Sequence, residues 1–260
     1  MNIFKLIQDI EKVDPEVYER LNSRRSAFGM LGKAALTAAP LALGSVFQKA
    51  YGKTTDAISD VLNFALLLEY LEDEFYRTGL SAPGLAIPAA NRIGFDQISK
   101  HEAQHVAFLK GVLGKDAIPK PTFDFTAKGA FKDVFTNYAT FAAVAQVLED
   151  TGVRAYKGQA SNLLGTTTLT AALQIHSVEA RHASFVRRLR AQKGWIVGND
   201  GGAVPAATAP NYAGEDNTTQ AGLAKAMFAA SYSDATVAEA FDEALTKDQV
   251  MAIAGVFVIA

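Results

Sequence analysis

The stretch that decides the fold is "HEAQH", His101 to His105. The whole chain has four histidines, and two of them lie in these five residues. The other two lie in "IHSVEARH", residues 175–182. Each segment places a glutamate three residues before its last histidine: Glu102 before His105, and Glu179 before His182. Residues i and i+3 of a helix share a face, one turn apart. On helices, each pair can therefore aim at a single point.

Working outward from these segments shows a repeat. Upstream of the first lies "LEYLEDEFY" (68–76), and upstream of the second lies "LEDTGVRAY" (148–156). In both, a Leu-Glu pair is followed by a tyrosine seven residues after the glutamate: Glu69 and Tyr76, then Glu149 and Tyr156. The order along the chain is Glu, E-x-x-H, Glu, E-x-x-H. Self-similarity at a fixed offset is the mark of an internal duplication, here of a two-helix unit.

The periodicity supports that reading. Apolar residues recur at three- and four-residue spacings over about 54–79, 92–113, 129–160 and 166–192, which predicts four long helices. Thr54 or Thr55 can cap the first, Gly79 and Gly114 can stop the first two, and Gly194 falls near the end of the fourth. The expected fold class is all-α: a four-helix bundle over residues 51–193. Residues 1–50 form an N-terminal arm. Residues 194–260 form an irregular extension, with short helices at about 218–231, 234–244 and 246–257, that packs on the bundle. It has too few large apolar residues for a core of its own.

Four inward-facing carboxylates would repel one another and could not all stay ionised unaided. A pair of divalent cations removes the conflict, with the two imidazoles completing the shells. Glu69, Glu102, His105, Glu149, Glu179 and His182 are therefore candidate metal ligands. With 12 glutamates and four histidines in 260 residues, chance would supply only about 0.2 E-x-x-H matches. Glu72 competes with Glu69, one turn away, but the repeat aligns Glu69 with Glu149 and Glu72 with Gly152, which cannot ligate. Glu72, Asp73 and Glu74 read as a solvated face, with an extra or shifting ligand as the alternative for Glu72. His176 lies on the face of Glu179 and is a candidate for supporting a ligand from behind. Tyr76 and Tyr156 suit core packing or, more sharply, a hydrogen bond to a ligand carboxylate. His101 has no counterpart in the repeat and reads as a surface or boundary residue. Arg154 and Arg181 read as surface residues that could pair with outer carboxylates.

Composition narrows the chemistry. Without cysteine, disulfides, thiolate metal sites and thiol catalysis are excluded. Ligation by carboxylate and imidazole favours iron, manganese or zinc. The formal net charge of −2 and the lack of a long basic run speak against a nucleic-acid partner. No stretch predicts a membrane span. "SRRSAFGMLGK" (23–33) before "AALTAAPLALGSVF" (34–47) resembles a twin-arginine export signal, which would place the protein in the periplasm. The alternative is a retained amphipathic arm, built on Ile3, Phe4, Leu6, Ile7 and Ile10, in a cytoplasmic protein. Such an arm could also serve homo-oligomer or membrane-surface contact.

One glutamate from each of two helices plus an E-x-x-H from each of the other two is the ligand pattern of ferritin-like di-iron and di-manganese bundles. The chain resembles the ferritin-like family that includes desiccation- and stress-related proteins. "LNFALLLEYLEDEFY" (62–76), "ISKHEAQHVAFLKGVLG" (98–114), "QVLEDTGVRAYKG" (146–158) and "IHSVEARHASFVRRLR" (175–190) carry the resemblance, as do "GEDNTTQAG" and "AFDEALTKDQVMAIAGVF" in the tail. It covers about 51–258 and implies a ferritin-like bundle with two iron ions, or manganese or a mixed pair. It further implies dioxygen or peroxide as the small-molecule substrate. The outcomes to weigh are ferrous oxidation or peroxide removal in stress protection, and a protective scaffold without turnover. A ferritin-type storage cage is a third reading that no identified surface supports.

Overall fold

The computed structural model describes residues 55–259, Ala203 excepted. The arm over residues 1–50, with its export or retention readings, lies outside the described residues. The described chain is mostly helical. Four long helices carry it: α1 (Thr55–Ser81), α2 (Ala89–Leu113), α3 (Tyr138–Ala160) and α4 (Thr168–Leu189). Short connections over 82–88 and 161–167 make α1 with α2, and α3 with α4, closely packed hairpins. The hairpins meet chiefly through α1 against α3, and less through α2 against α4. Among the described residues, no helix is long and apolar enough to cross a membrane.

Several element ends differ from the sequence expectation, each for a local reason. Gly79 does not stop α1. A Cβ on Gly79 would sit 2.3 Å from the Phe141 ring, so the glycine serves helix packing instead. The helix ends two residues later, where Pro83 disfavours helical backbone before it. Ser81 Oγ meanwhile donates to the carbonyls of Arg77 and Thr78. The segment 129–137 is not helical. Ala127, Lys128 and Gly129 all have positive φ, which breaks helical continuity, and Asn137 caps α3 by accepting from the Ala139 N–H. Phe131, Val134 and Phe135 mimic a helical period, but Phe131 packs on Phe257 and Phe135 on Phe75. Gly114 caps α2 with φ 55°, as expected, whereas α4 ends at Leu189 and the positive φ falls on Ala191, not Gly194.

The connection from α2 to α3 includes β1 (Thr122–Phe123). Residues expected as a helix over 218–231 instead open with a hairpin of β2 (Thr219–Gln220) and β3 (Leu223–Ala224). Its turn residues Ala221 and Gly222 both have positive φ, the requirement of the tight turn whose twist matches the strands. Three short helices follow: α5 (Lys225–Phe228), α6 (Asp234–Ala238) and α7 (Lys247–Ala254). Thr246 and Gln249 form a reciprocal capping box on α7. β4 (Val258–Ile259) pairs antiparallel with β1.

The tail is tied to the bundle by buried polar groups. Arg187 on α4 grips Asp150 on α3 with two bonds, Nε to Oδ1 at 3.1 Å and an NH2 nitrogen to Oδ2 at 2.5 Å. Tyr212 from the tail donates to the same Asp150 at 2.7 Å. Arg154, expected at the surface, is fully buried. Its Nε donates to the Glu243 carbonyl at 2.6 Å, and its other nitrogens reach the carbonyls of Asn211 and Ala213. Glu215 lies 2.9 Å from Arg154 Nε. A buried guanidinium needs its donors answered, and the tail's carbonyls answer them. At Gly158, a Cβ would lie 1.9 Å from the Leu245 carbonyl oxygen, which is backbone and cannot swing aside. Gly158→Ala is therefore expected to cost about 1–3 kcal/mol by overpacking. That exceeds the gain of about 1 kcal/mol from removing a helical glycine. A urea melt of the variant against wild type measures it.

Candidate metal centre

All six candidate ligands point into the space between the four helices. Glu69 comes from α1, Glu102 and His105 from α2, Glu149 from α3, and Glu179 and His182 from α4. The four glutamates are fully buried. They form two overlapping groups: Glu69, Glu102, His105 and Glu179, and then Glu102, Glu149, Glu179 and His182. Within each group the donor atoms all lie within 4.8 Å of one another.

The atoms divide in an orderly way. His105 Nδ1 lies 3.1 Å from each of Glu69 Oε2, Glu102 Oε2 and Glu179 Oε1. His182 Nδ1 lies 2.9 Å from Glu102 Oε1, 3.3 Å from Glu149 Oε2 and 3.5 Å from Glu179 Oε2. Glu102 and Glu179 thus turn one oxygen to each histidine, while Glu69 and Glu149 serve one group each. The second oxygens of Glu69 and Glu149 are occupied. Tyr156 donates to Glu69 Oε1 and Tyr76 to Glu149 Oε1, both at 2.5 Å. Each tyrosine therefore reaches across to the glutamate of the other hairpin. Both of their sequence readings hold: the rings are buried in the core, and each hydroxyl bonds a glutamate of the cluster.

The donor set tests well against a metal. Glu102 Oε1, Glu149 Oε2, both Glu179 oxygens and His182 Nδ1 are enclosed and have no hydrogen-bond partner. They stand at contact distance, yet not in the directions hydrogen bonds require. Buried polar atoms left unpaired are costly, and lone pairs converging on one point are what a cation needs.

Electrostatics shows how the protein fares without one. Burial and repulsion from neighbouring carboxylates push Glu72 well above the ordinary carboxyl range. Burial and the Glu179 charge do the same to Glu102, against the pull of His105 and His182. Burial likewise lifts Glu149 to about 7, against the pull of His182. Burial would depress His105, but Glu102, Glu179 and Glu69 outweigh it and push it up to about 12. His182 is raised in the same manner, chiefly by Glu149. Burial opposes ionisation of Glu179 too, yet the two histidines hold it down at about 2. Without metal, the cluster retains protons to stay near charge balance.

The remaining candidates lie outside both groups. Glu72 and Asp73 are buried, not on a solvated face; Glu72 sits beside the cluster in room left by Gly152, where a Cβ would lie 3.3 Å from Glu72 Oε1. His176 Nε2 is enclosed without a partner and makes no bond to Glu179; burial lowers its pKa. Arg181 is exposed and bonds the Ser177 carbonyl. His101 is a half-buried boundary residue whose Nδ1 lies against the His182 ring. The repeat could not reveal this, since position 101 aligns with Val178.

The fold and this buried Glu/His cluster, which could hold a metal ion, define a ferritin-like helical bundle. Residues 57–192, half of the chain, match the ferritin-like domain family, and the chain belongs to it. No curated protein matches the chain.

Proposed function

We propose that the chain is a dinuclear metal protein, most readily di-iron, that reacts with dioxygen or peroxide in stress protection. The observation that carries this is the set of unpaired, buried donor atoms shared between two histidine-centred positions. Glu102 and Glu179, which belong to both donor groups, would help hold both ions. Glu69 with His105, and Glu149 with His182, would hold the outer sides. Carboxylate and imidazole donors without thiolate accept iron or manganese, so a manganese or mixed pair fits the same residues. When bound, such a pair supplies electrons and a Lewis-acidic face to a small oxidant.

The chain's own residues do the rest. Full burial of the four glutamates keeps bulk water and larger reductants away, which suits substrates as small as dioxygen, peroxide or a ferrous ion. The two tyrosines hold Glu69 and Glu149 to one free oxygen each. Replacing both with phenylalanine (Tyr76→Phe with Tyr156→Phe) releases those carboxylates. It is expected to weaken metal binding by about 10–100-fold, read by competition with a chelator.

The reading is tested on aerobically purified protein by metal mass spectrometry together with assays of ferrous oxidation and peroxide loss. Two metal equivalents with turnover support it. Metal without turnover shifts the balance to a protective scaffold stabilised by its ions.

A further inference from the structure

Among the described residues, only one of the two histidines at the cluster is held from behind by another imidazole. His101 Nδ1 lies 2.9 Å from His182 Nε2. The ring centroids are 5.1 Å apart and the planes differ by 14°. With so short an N···N contact and so long a centroid distance, the rings lie nearly coplanar, edge to edge, as an in-line N–H···N bond requires. The other nitrogen of His101, Nε2, lies 2.7 Å from the side-chain amide of Gln97, one turn back on α2 and exposed. Among the described residues no second imidazole faces the far nitrogen of His105.

The hydrogen-bond roles follow in sequence. His182 turns Nδ1 to Glu102, Glu149 and Glu179, so that nitrogen must offer a lone pair to a cation. Its proton then resides on Nε2, which can only donate. His101 Nδ1 must accept, which puts the proton of neutral His101 on Nε2. The structure turns Gln97 Nε2 toward that nitrogen, so the amide must be turned over for its oxygen to accept, the orientation that this chain of donors assigns. Rotation of the His182 ring by half a turn would replace Nδ1 by a carbon at the cluster and break the bond to His101.

We propose that His101 is a positioning residue that locks His182 with Nδ1 toward the cluster. It thereby makes the Glu102–Glu149–Glu179–His182 position the tighter of two unequal metal positions. The inference rests on the metal-binding reading above.

Manganese(II) titration of the metal-free full chain by calorimetry tests it, in wild type, His101→Ala, His101→Gln and Gln97→Ala. Wild type is expected to bind two ions. His101→Ala should weaken one step by about 10–100-fold and leave the other nearly unchanged. His101→Gln, whose amide oxygen can accept from Nε2–H, should recover most of the loss. Gln97→Ala, which removes only the end of the chain of bonds, should lose less than His101→Ala. Equal weakening of both steps, no weakening, or no recovery with glutamine would overturn the proposal. Failure of wild type to bind either manganese or iron would instead sink the metal-binding reading itself. Thermal melts of the metal-free variants report folding separately from binding.

Discussion

Replacing Glu102 and Glu179 together with alanine is expected to abolish both metal content and turnover. These two residues alone belong to both donor groups, with one oxygen facing each histidine. Losing them takes two of four protein donors from each position at once. Glu69 or Glu149 alone would take one donor from one position. Elemental analysis of the double variant should show the ions falling from two toward none, with ferrous oxidation lost in parallel. The helices do not depend on these side chains for their hydrogen bonds, so far-ultraviolet circular dichroism should remain helical. An unchanged metal content in the double variant would rule out the assigned site.

Loading the site is expected to be the largest stabilising event available to the protein. A ligand at a thousandfold excess over its dissociation constant adds about 4 kcal/mol to folding. For a domain of this size, that corresponds to a rise in Tm of roughly 8–16 °C. The rise should shrink as pH falls. Metal displaces the protons that the cluster otherwise keeps: His105 is pushed up to about 12 and Glu149 to about 7. Both folded-state values lie above those of the unfolded chain, so the metal-free fold binds more protons than the unfolded state. Its stability from these groups is present at lower pH and declines as pH rises through neutrality. The depressed Glu179, at about 2, acts only in strong acid. The gap between loaded and metal-free Tm should therefore widen between about pH 6 and about pH 8. A gap that narrows with rising pH would contradict the proton inventory of the cluster. Paired calorimetric scans with and without a chelator measure it.

The local parts of this site are readable from the residues. Glu102 with His105, and Glu179 with His182, share faces because a helix repeats every 3.6 residues, and the duplication reports the partner helices. Other features depend on how helices meet. Tyr76 follows Glu69 by seven residues, yet it bonds Glu149 on the opposite hairpin. Spacing within one helix cannot show that exchange. Nor could it show that Arg154 is buried, because the carbonyls that satisfy it come from residues 211–243. The segment 129–137 carries a helical apolar period and is not a helix, because those side chains pack against Phe257 and Phe75 from distant parts of the chain.

By itself, the sequence pointed to the four long helices, the duplication and six candidate donors, since each rests on spacing along a single helix and on which side chains can bind a cation. The tertiary structure decided which oxygens two histidines share, which tyrosine restrains which carboxylate, and that His101 stands behind His182. Those choices belong to contacts between helices, where angle and distance are set by packing that no one segment contains.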